Sequence, residues 1–518
     1  MEPRPTQGSE NGVADVLGRI RRKGVSLWSK DGRLHYKAPK GVLTKEDVES
    51  LKLSSAQIVA LLERADGAGP IQEGVRTDGP RRVPMTFSQL SHWLWFNLGE
   101  RHNLRQVASA TRLCGPLDVD VVKRSLLEVT HRHDALRTRI VIQDGALMQE
   151  IATSVQCELV LQDLSHVPAT LREIEVHRHI EDFVLEPVDV AEGPLWGVKL
   201  LRLAEQEHVL IVAMEHIISD WTSLNILISE LLLAYGQILK RGIVDLAQIS
   251  IPFSDYALRQ QRTHDAWMSR NADYWRAHLA GTQRVRFPAQ GSSSVAQVGW
   301  DHVTVTIGRE LKTELRDWCR RHKTTLVMTA LSIYIAFSLR WCGANEMVIQ
   351  YLTDGRIDPK LASTIGAFAF SLPLRVTLLE GDRLTDLVTR VTGEYCDAYD
   401  HCDFAYMESR VPRPEFVRNT AFNWLPQRVT DHSITRLEDT ALTFSPVPFE
   451  HPLLRQLDRD CEPVVLLFDT EDEVICDVQY PANRFSREAM QRFGQDFIGM
   501  LGHAVRHQEE RLTELPFT

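Results

Sequence analysis

Two kinds of apolar pattern alternate along most of the chain. Residues 208–216 (HVLIVAMEH) form a nearly continuous apolar run of strand length, which is typical of a strand buried on both faces. Residues 223–239 (SLNILISELLLAYGQIL) follow with apolar positions three and four apart, which predicts an amphipathic helix. The runs 347–353 (MVIQYLT) and 463–470 (PVVLLFDT) predict further strands. We therefore predict an α/β protein.

A short unit at the N-terminus has a pattern of its own. The pair Asp31-Gly32 lies between alternating apolar residues and predicts a tight β-hairpin. Thr44 followed by Asp47 predicts the N-terminus of a helix. The stretch after Ala65 is rich in glycine, proline and charge, as linkers are.

These boundaries predict four parts. The first is a small domain over residues 1–65, followed by a linker over 66–83. The remainder is too long for one compact core, so we predict two lobes, 84–250 and 251–518.

Composition narrows the classes of function. A net charge of −10 argues against nucleic-acid binding, which requires a clustered basic surface. The eight cysteines show no C-x-x-C pair and no zinc-like spacing, so we expect reduced thiols and no metal. The polar N-terminus has no apolar signal region, so we expect a cytoplasmic protein. The apolar stretch 326–339 is short and interrupted by hydroxyl residues, which favours a buried helix over a membrane span.

The segment 215–221 (EHIISDW) is the best candidate for chemistry, because it lies where a buried strand ends and a helix begins. Polar residues just past the end of such a strand often face a crevice. A histidine beside a glutamate and an aspartate can equally be a structural residue with satisfied hydrogen bonds. From the residues alone, both interpretations stay open.

Further motifs accompany this segment in a regular order. They are RHDALRT (132–138), EHIISD (215–220), SDYA (254–257), YW (274–275), IGAF with LPLR (365–375), HCD (401–403) and RN (418–419). Together, from Pro84 to the C-terminus, they resemble the condensation domains of nonribosomal peptide synthetases. The resemblance implies a two-lobed, V-shaped fold like that of chloramphenicol acetyltransferase, with the active site in a tunnel between the lobes.

The resemblance also implies roles for individual residues. His216 takes the position of the catalytic histidine and would accept a proton from the nucleophile or hold the nucleophile in line. Glu215, Asp220, Trp221 and Ser223 would support it, with Asp220 paired to an arginine that the sequence does not identify. The residues that would line the tunnel or hold its structure are Arg132, His133, Arg137, Phe370 and Arg375.

Three positions depart from the family pattern. Glu215 replaces the first histidine of H-H-x-x-x-D-G, Trp221 replaces its glycine, and Phe370 replaces a common asparagine. Glu215 could serve packing alone, could support His216 electrostatically, or could mark a weakened site. Phe370 would reshape the tunnel wall.

The N-terminal unit has its own resemblance. The segments 24–28 (GVSLW), 32–41 (GRLHYKAPKG) and 43–44 (LT) resemble β-hairpin docking domains of the tubulysin-synthetase type. Such domains capture a short acidic motif of a partner by strand addition to the hairpin edge. Arg33, Lys37 and Lys40 would supply the positive charge, although such residues can also be a solvated face.

We therefore expect a stand-alone acyltransferase in a nonribosomal peptide or hybrid polyketide pathway. It would join an acyl, peptidyl or polyketidyl thioester to an amine or hydroxyl, giving an amide or ester. No bound cofactor is expected, because the substrate is carried on the phosphopantetheine of a partner carrier protein, and neither nucleic acid nor membrane is an expected partner. One alternative is an inactive platform that recruits proteins. Another is an epimerising or cyclising relative, although the cyclising motif D-x-x-x-x-D is absent.

Overall fold

The computed structural model describes residues 26–30, 33–37, 43–56, 58–59, 80–98, 107–154, 158–289, 299–356, 358–401, 420–425, 435–437, 440–449 and 462–515. Its strands are β1 (Ser26–Lys30), β2 (Arg33–Lys37), β3 (Arg81–Pro84), β4 (Val107–Cys114), β5 (Thr138–Gln143), β6 (Ala146–Ile151), β7 (Leu159–Asp163), β8 (Trp196–Ala204), β9 (Glu207–Met214), β10 (Trp300–Ile307), β11 (Glu346–Thr353), β12 (Phe370–Thr377), β13 (Ala421–Leu425), β14 (Thr435–Arg436), β15 (Thr443–Pro446), β16 (Val464–Asp469) and β17 (Val474–Pro481). Its α-helices are α1 (Lys45–Leu53), α2 (Phe87–Leu98), α3 (Val119–Arg132), α4 (Ala169–Leu185), α5 (Trp221–Arg241), α6 (Phe253–His278), α7 (Arg309–His322), α8 (Leu326–Cys342), α9 (Leu384–Asp400) and α10 (Arg487–Arg506).

The first lobe is built on a six-stranded sheet in the order β14-β15-β4-β9-β8-β7. Alternate residues of β9 face opposite sides: Leu210 and Val212 pack with α3 and α5, whereas Val209 and Ile211 pack with α4. Burial on both faces explains why β9 is apolar from Val209 to Met214.

The second lobe is built on another six-stranded sheet, in the order β10-β17-β16-β13-β11-β12. Helices α7 to α10 contribute to its core, and α8 is buried along most of its length. The strands predicted at 347–353 and 463–470 are confirmed as β11 and β16.

The predicted boundaries need two corrections. β3 pairs with β6 and buries Val83, so the last residues of the predicted linker belong to the folded lobe. β15 pairs with β4 of the first lobe, so the second half of the chain does not form the second lobe alone. The crossing covers what would otherwise be an open edge of β4.

The N-terminal hairpin is confirmed. β1 and β2 pair antiparallel with Lys30 opposite Arg33, which leaves the predicted turn residues between them. Thr44 and Asp47 form a reciprocal capping box at the start of α1, also as predicted. Leu51 and the nearby Ile58 are buried in the core cluster of the first lobe.

One described helix, α5, is long and apolar enough to cross a membrane by length and composition. Half of its most apolar window is buried inside the protein, as in the core helix of a globular lobe. The bent pair of α7 and α8 passes the same test only if both are counted as one span.

Candidate active site between the lobes

The segment 215–220 forms a turn that joins β9 to α5. Glu215 is fully buried, and its Oε2 accepts a hydrogen bond of 2.5 Å from the backbone N–H of Ile217. Asp220 is the N-cap of α5, where its Oδ1 accepts a 2.7 Å hydrogen bond from the N–H of Ser223. The strand end and the helix start therefore fix the two ends of the turn.

Asp220 is paired with Arg356, which follows β11 of the second lobe. The guanidinium donates two hydrogen bonds to the carboxylate, at 2.9 and 3.1 Å, and both side chains are almost completely buried. The N–H groups of Phe368 and Ala369 donate to the same carboxylate, at 3.2 and 3.3 Å. A buried carboxylate requires such partners, and Arg356 is the arginine that the sequence did not identify.

Ser223 strengthens the same junction. Its hydroxyl donates to the carbonyl of Gly366 and accepts from the Gly366 N–H, at 2.9 and 3.0 Å. It also accepts a 3.0 Å hydrogen bond from Arg356. The two lobes are therefore joined directly beneath the turn.

Two glycines allow this close approach. Gly355 has a φ of +66°, and a Cβ there would lie 1.9 Å from the carbonyl oxygen of Phe368. A Cβ on Gly366 would lie 2.2 Å from the ring of Phe253. A larger residue at either position would displace the segments that bind Asp220.

The His216 ring is half-buried at the exposed side of the turn. Its Nδ1 is inaccessible to solvent and has no hydrogen-bond partner among the described residues. The other ring nitrogen, Nε2, is not among the buried atoms and has no hydrogen bond to the described residues. The ring stacks on that of His92, with 4.2 Å between the centroids and 28° between the planes.

His92 lies on α2 and is held by its own helix. Its Nδ1 is 2.8 Å from the carbonyl oxygen of Ser88. Because a carbonyl only accepts hydrogen bonds, Nδ1 carries the proton. Burial, together with the nearby His216, lowers the pKa of His92 to about 3, so this ring is neutral at ordinary pH.

The two aromatic departures from the family pattern lie at the start of α5 and the start of β12. Trp221 contacts Phe468 of the second lobe edge to face, with 5.9 Å between the ring centroids. Phe370 is half-buried and packs against the core of the second lobe. Trp221 thus adds an aromatic contact between the lobes immediately after Asp220.

The remaining motif residues of the first lobe make ion pairs of their own. Arg132 and His133 both bind Glu230 of α5, at 2.9 and 2.8 Å. Burial alone would raise the pKa of Glu230, but the hydrogen bonds and charges of these two partners lower it. Arg137 pairs with Asp134 at 2.9 Å. These contacts hold α3, α5 and the turn after α3 together.

Arg375 has a similar role in the second lobe. It binds the carboxylate of Glu346 and donates to the carbonyls of His278 and Ala280, at 3.0 and 3.1 Å. Arg375 therefore ties β12 to β11 and to the end of α6, and none of its contacts is with His216.

The docking residues are described in part. Arg33 is exposed beside the hairpin turn. Lys37 ends β2, its side chain is outside the described part, and Lys40 lies outside the described residues altogether.

Two residues of the site were missed as site residues by sequence reasoning. Arg356 follows Asp354-Gly355 directly after β11, so a polar segment at a strand end was the available signal. His92 lies in an aromatic-rich helix, where nothing in the sequence indicates a contact with His216.

A cluster of metal-ligating residue types lies elsewhere. His503, His507 and Glu510, near the end of α10, bring their ligand atoms within 4.8 Å of one another at the surface. None of these three belongs to the turn or its partners.

Comparison with known proteins places the chain in a family. The model of the condensation domain matches residues 81–518, and that of the TubC N-terminal docking domain matches residues 13–64. One component of linear gramicidin synthase from Brevibacillus parabrevis is 28% identical over 98% of this chain and 10% of its own length. Chondramide synthase cmdD of Chondromyces crocatus is 26% identical over 87% of this chain and 12% of its own length. The chain thus spans about a tenth of the length of these relatives.

Solved structures agree on the fold. The X-domain from teicoplanin biosynthesis matches with a TM-score of 0.69 and 20% identity, over 87% of this chain and all of the other. SgcC5 of Streptomyces globisporus matches with a TM-score of 0.65 and 21% identity, over 83% of this chain and all of the other. These matches confirm the predicted fold class. The chain belongs to the family of condensation domains of nonribosomal peptide synthetases and carries a TubC-type docking domain at its N-terminal end.

Proposed function

We propose that this chain transfers an acyl group from a carrier-bound pantetheine thioester to an amine or hydroxyl, forming an amide or an ester. The nucleophile attacks the thioester carbonyl carbon, the carbon–sulfur bond breaks, and the proton of the nucleophile leaves with the thiol. The proposal rests on a contrast between two residues of the turn that joins β9 to α5. Asp220 is fully paired, whereas Nε2 of His216 is left available for a substrate.

We assign His216 the task of aligning the nucleophile through Nε2. A histidine that stores a full positive charge is usually stabilised by an acceptor at its other nitrogen. Nδ1 of His216 has no such acceptor among the described residues. To hold the N–H or O–H of the nucleophile beside the thioester, His216 only has to be correctly placed and does not have to carry a charge. Orientation alone lowers the barrier substantially.

The supporting residues have separate tasks in this proposal. Asp220, with Arg356 and Ser223, holds the turn rigid between the lobes. Glu215 fixes the backbone of the turn through the N–H of Ile217, which supports a structural role. Trp221 and Phe468 form part of the wall beside the reacting groups.

The test is product formation. A carrier protein loaded with acyl groups of increasing length is incubated with this chain and with amino-acid thioesters, amines or alcohols, and intact-protein mass spectrometry follows the transfer. The parent should form product, and His216→Ala should lose most of the activity. His166→Ala, which changes an exposed histidine of the first lobe, is the matched control. A parent that transfers nothing would leave the recruiting platform as the better interpretation.

We further propose that the N-terminal hairpin binds an acidic segment of the partner that delivers the acyl chain. The exposed Arg33 lies at the turn of a two-stranded sheet whose edge can accept another strand. Arg33→Glu should weaken carrier binding, and added salt should weaken it in the parent, because exposed charges are screened. Lys45→Glu, on the helix of the same unit, is the control. Equal binding by the two variants would refute this role.

A further inference from the structure

We propose that His92 is a positioning residue for His216, whose imidazole ring it holds in the reactive orientation by stacking. This inference rests on the proposed function. The two rings lie on different elements, α2 and the turn before α5, and only the fold brings them together.

The His216 ring needs an external constraint on its orientation. Catalytic imidazoles are commonly oriented by a hydrogen bond at the nitrogen that does not react. His216 lacks this bond among the described residues, because its Nδ1 is buried without a partner. The orientation of the ring must therefore come from packing, and the stacked His92 ring supplies a broad flat surface for it.

His92 is itself held in place. Its Nδ1–H donates to the Ser88 carbonyl at 2.8 Å, which fixes the plane of the ring on α2. The Ser88 hydroxyl in turn donates to the carbonyl of Ala369 at 3.0 Å.

A further hydrogen bond connects these contacts to Asp220. The Ala369 N–H donates to the carboxylate of Asp220, which lies at the other end of the turn that carries His216. Asp220, Ala369, Ser88, His92 and His216 thus form one continuous frame around the turn. Displacement of His92 would remove the stacking contact that orients the His216 ring, whose Nδ1 has no hydrogen bond among the described residues.

The chemical role of His92 follows from its protonation state. A ring that stays neutral at ordinary pH does not compete with His216 for protons and does not relay them. Its contribution is therefore the surface of the ring, and an aromatic residue without nitrogen should replace it in large part.

The experiment compares three substitutions, with acyl N-acetylcysteamine thioesters and an amine acceptor as the probe reaction. His92→Ala and His92→Asn remove the ring, and kcat should fall by about 10- to 100-fold with little change in KM. His92→Phe keeps a ring and should recover most of the lost kcat. The pH profile of kcat should keep its midpoint in all three. His166→Ala is again the control, and a melting curve of each variant establishes that it is folded.

Two results would overturn the inference. One is that His92→Ala and His92→Asn turn over the probe as fast as the parent. The other is that His92→Phe is as impaired as His92→Asn, which would mean that the nitrogen matters and not the ring. If removal of the ring prevents folding, His92→Phe is compared with the parent alone. Turnover close to that of the parent supports the inference, and a folded His92→Phe with turnover at least about 10-fold lower refutes it.

A second measurement does not depend on turnover. Nitrogen-15 NMR of labelled histidines, with His216 assigned by the signals lost in His216→Ala, reports the tautomer and order of this ring. The parent and His92→Phe should give one ordered His216 signal set, whereas His92→Ala should give broadened or averaged signals. Identical spectra would refute the stacking role. If the parent forms no product with any thioester, the proposed function fails, and these spectra still decide whether His92 orders His216.

Discussion

The two ends of the turn between β9 and α5 are held in opposite ways. At one end, the carboxylate of Asp220 accepts hydrogen bonds from Ser223, Arg356, Phe368 and Ala369. At the other end, the His216 ring is secured by stacking on His92, and its Nδ1 has no partner in the described part of the chain. Hydrogen bonds to a charged carboxylate hold one end of the turn, and the stacking of two rings holds the other.

The difference has a physical reason. A buried carboxylate is tolerated only when it is paired, so Asp220 must be satisfied within the protein. Under the proposed function, His216 must keep a nitrogen for the substrate, so it cannot be satisfied in the same manner. The turn therefore separates stability from reactivity, and substitutions at its two ends should have different consequences.

The largest effect is expected at Asp220. Asp220→Ala leaves the buried charge of Arg356 without its carboxylate and should lower the free energy of unfolding by roughly 3–5 kcal/mol. His216→Ala should leave stability nearly unchanged and lower turnover by about 10²-fold or more, because the nucleophile is no longer aligned. Urea denaturation and product formation, measured for both variants, check the contrast. Equal losses of stability would mean that the two ends are not distinct.

A smaller effect is expected where the chain approaches Asp220. Gly355→Ala introduces a Cβ against the carbonyl of Phe368 at a positive φ, and should cost about 1–3 kcal/mol of unfolding free energy. Turnover should also fall, because Arg356, the next residue in the chain, holds Asp220 in place. Gly381→Ala is the matched control, since its Cβ would meet no atom within 4 Å. A loss no greater than that of the control would show that the junction adapts to the methyl group.

His92, which stacks on His216 at the other end of the turn, should make the stability of the protein depend on pH. The pKa of His92 is lowered to about 3, below its ordinary value of 6.5. The unfolded chain therefore binds a proton as the pH falls below about 6.5, while the folded protein does not, and stability is lost in that range. Between about pH 7 and about pH 5.5 this loss is roughly 1 kcal/mol.

His92→Phe removes that titration, so its stability should fall less than that of the parent over the same pH range. Chemical denaturation at both pH values measures the difference, and His166→Ala, at an exposed site, should behave as the parent does. Parallel pH dependences of the parent and His92→Phe would contradict a His92 ring that stays neutral in the folded protein.

The smallest effect is expected at Glu215. Glu215→Gln keeps an oxygen that can accept from the Ile217 N–H, so stability should change by less than about 1 kcal/mol and turnover should stay near that of the parent. If the carboxylate instead supports His216 by its charge, both kcat and its pH profile would change when the charge is removed. A pH profile measured beside that of the parent separates the two roles.

The sequence by itself determined the elements and the position of the turn. The apolar run before Glu215 and the periodic pattern from Ser223 onward are local signals, and they predicted β9 and α5 because burial requires those spacings. The Asp31-Gly32 hairpin and the Thr44 cap were predicted for the same reason, since turn and cap chemistry lies within a few residues. The order of the motifs was sufficient for the family.

Only the tertiary structure decided the partners. The chain contains many arginines, and the choice of Arg356 for Asp220 depends on how β11 of one lobe approaches α5 of the other. The stacking of His92 on His216 and the addition of β15 to β4 have the same origin. A buried charge or an open strand edge requires a partner. The packing of elements that are far apart in the chain decides which residue or strand is that partner.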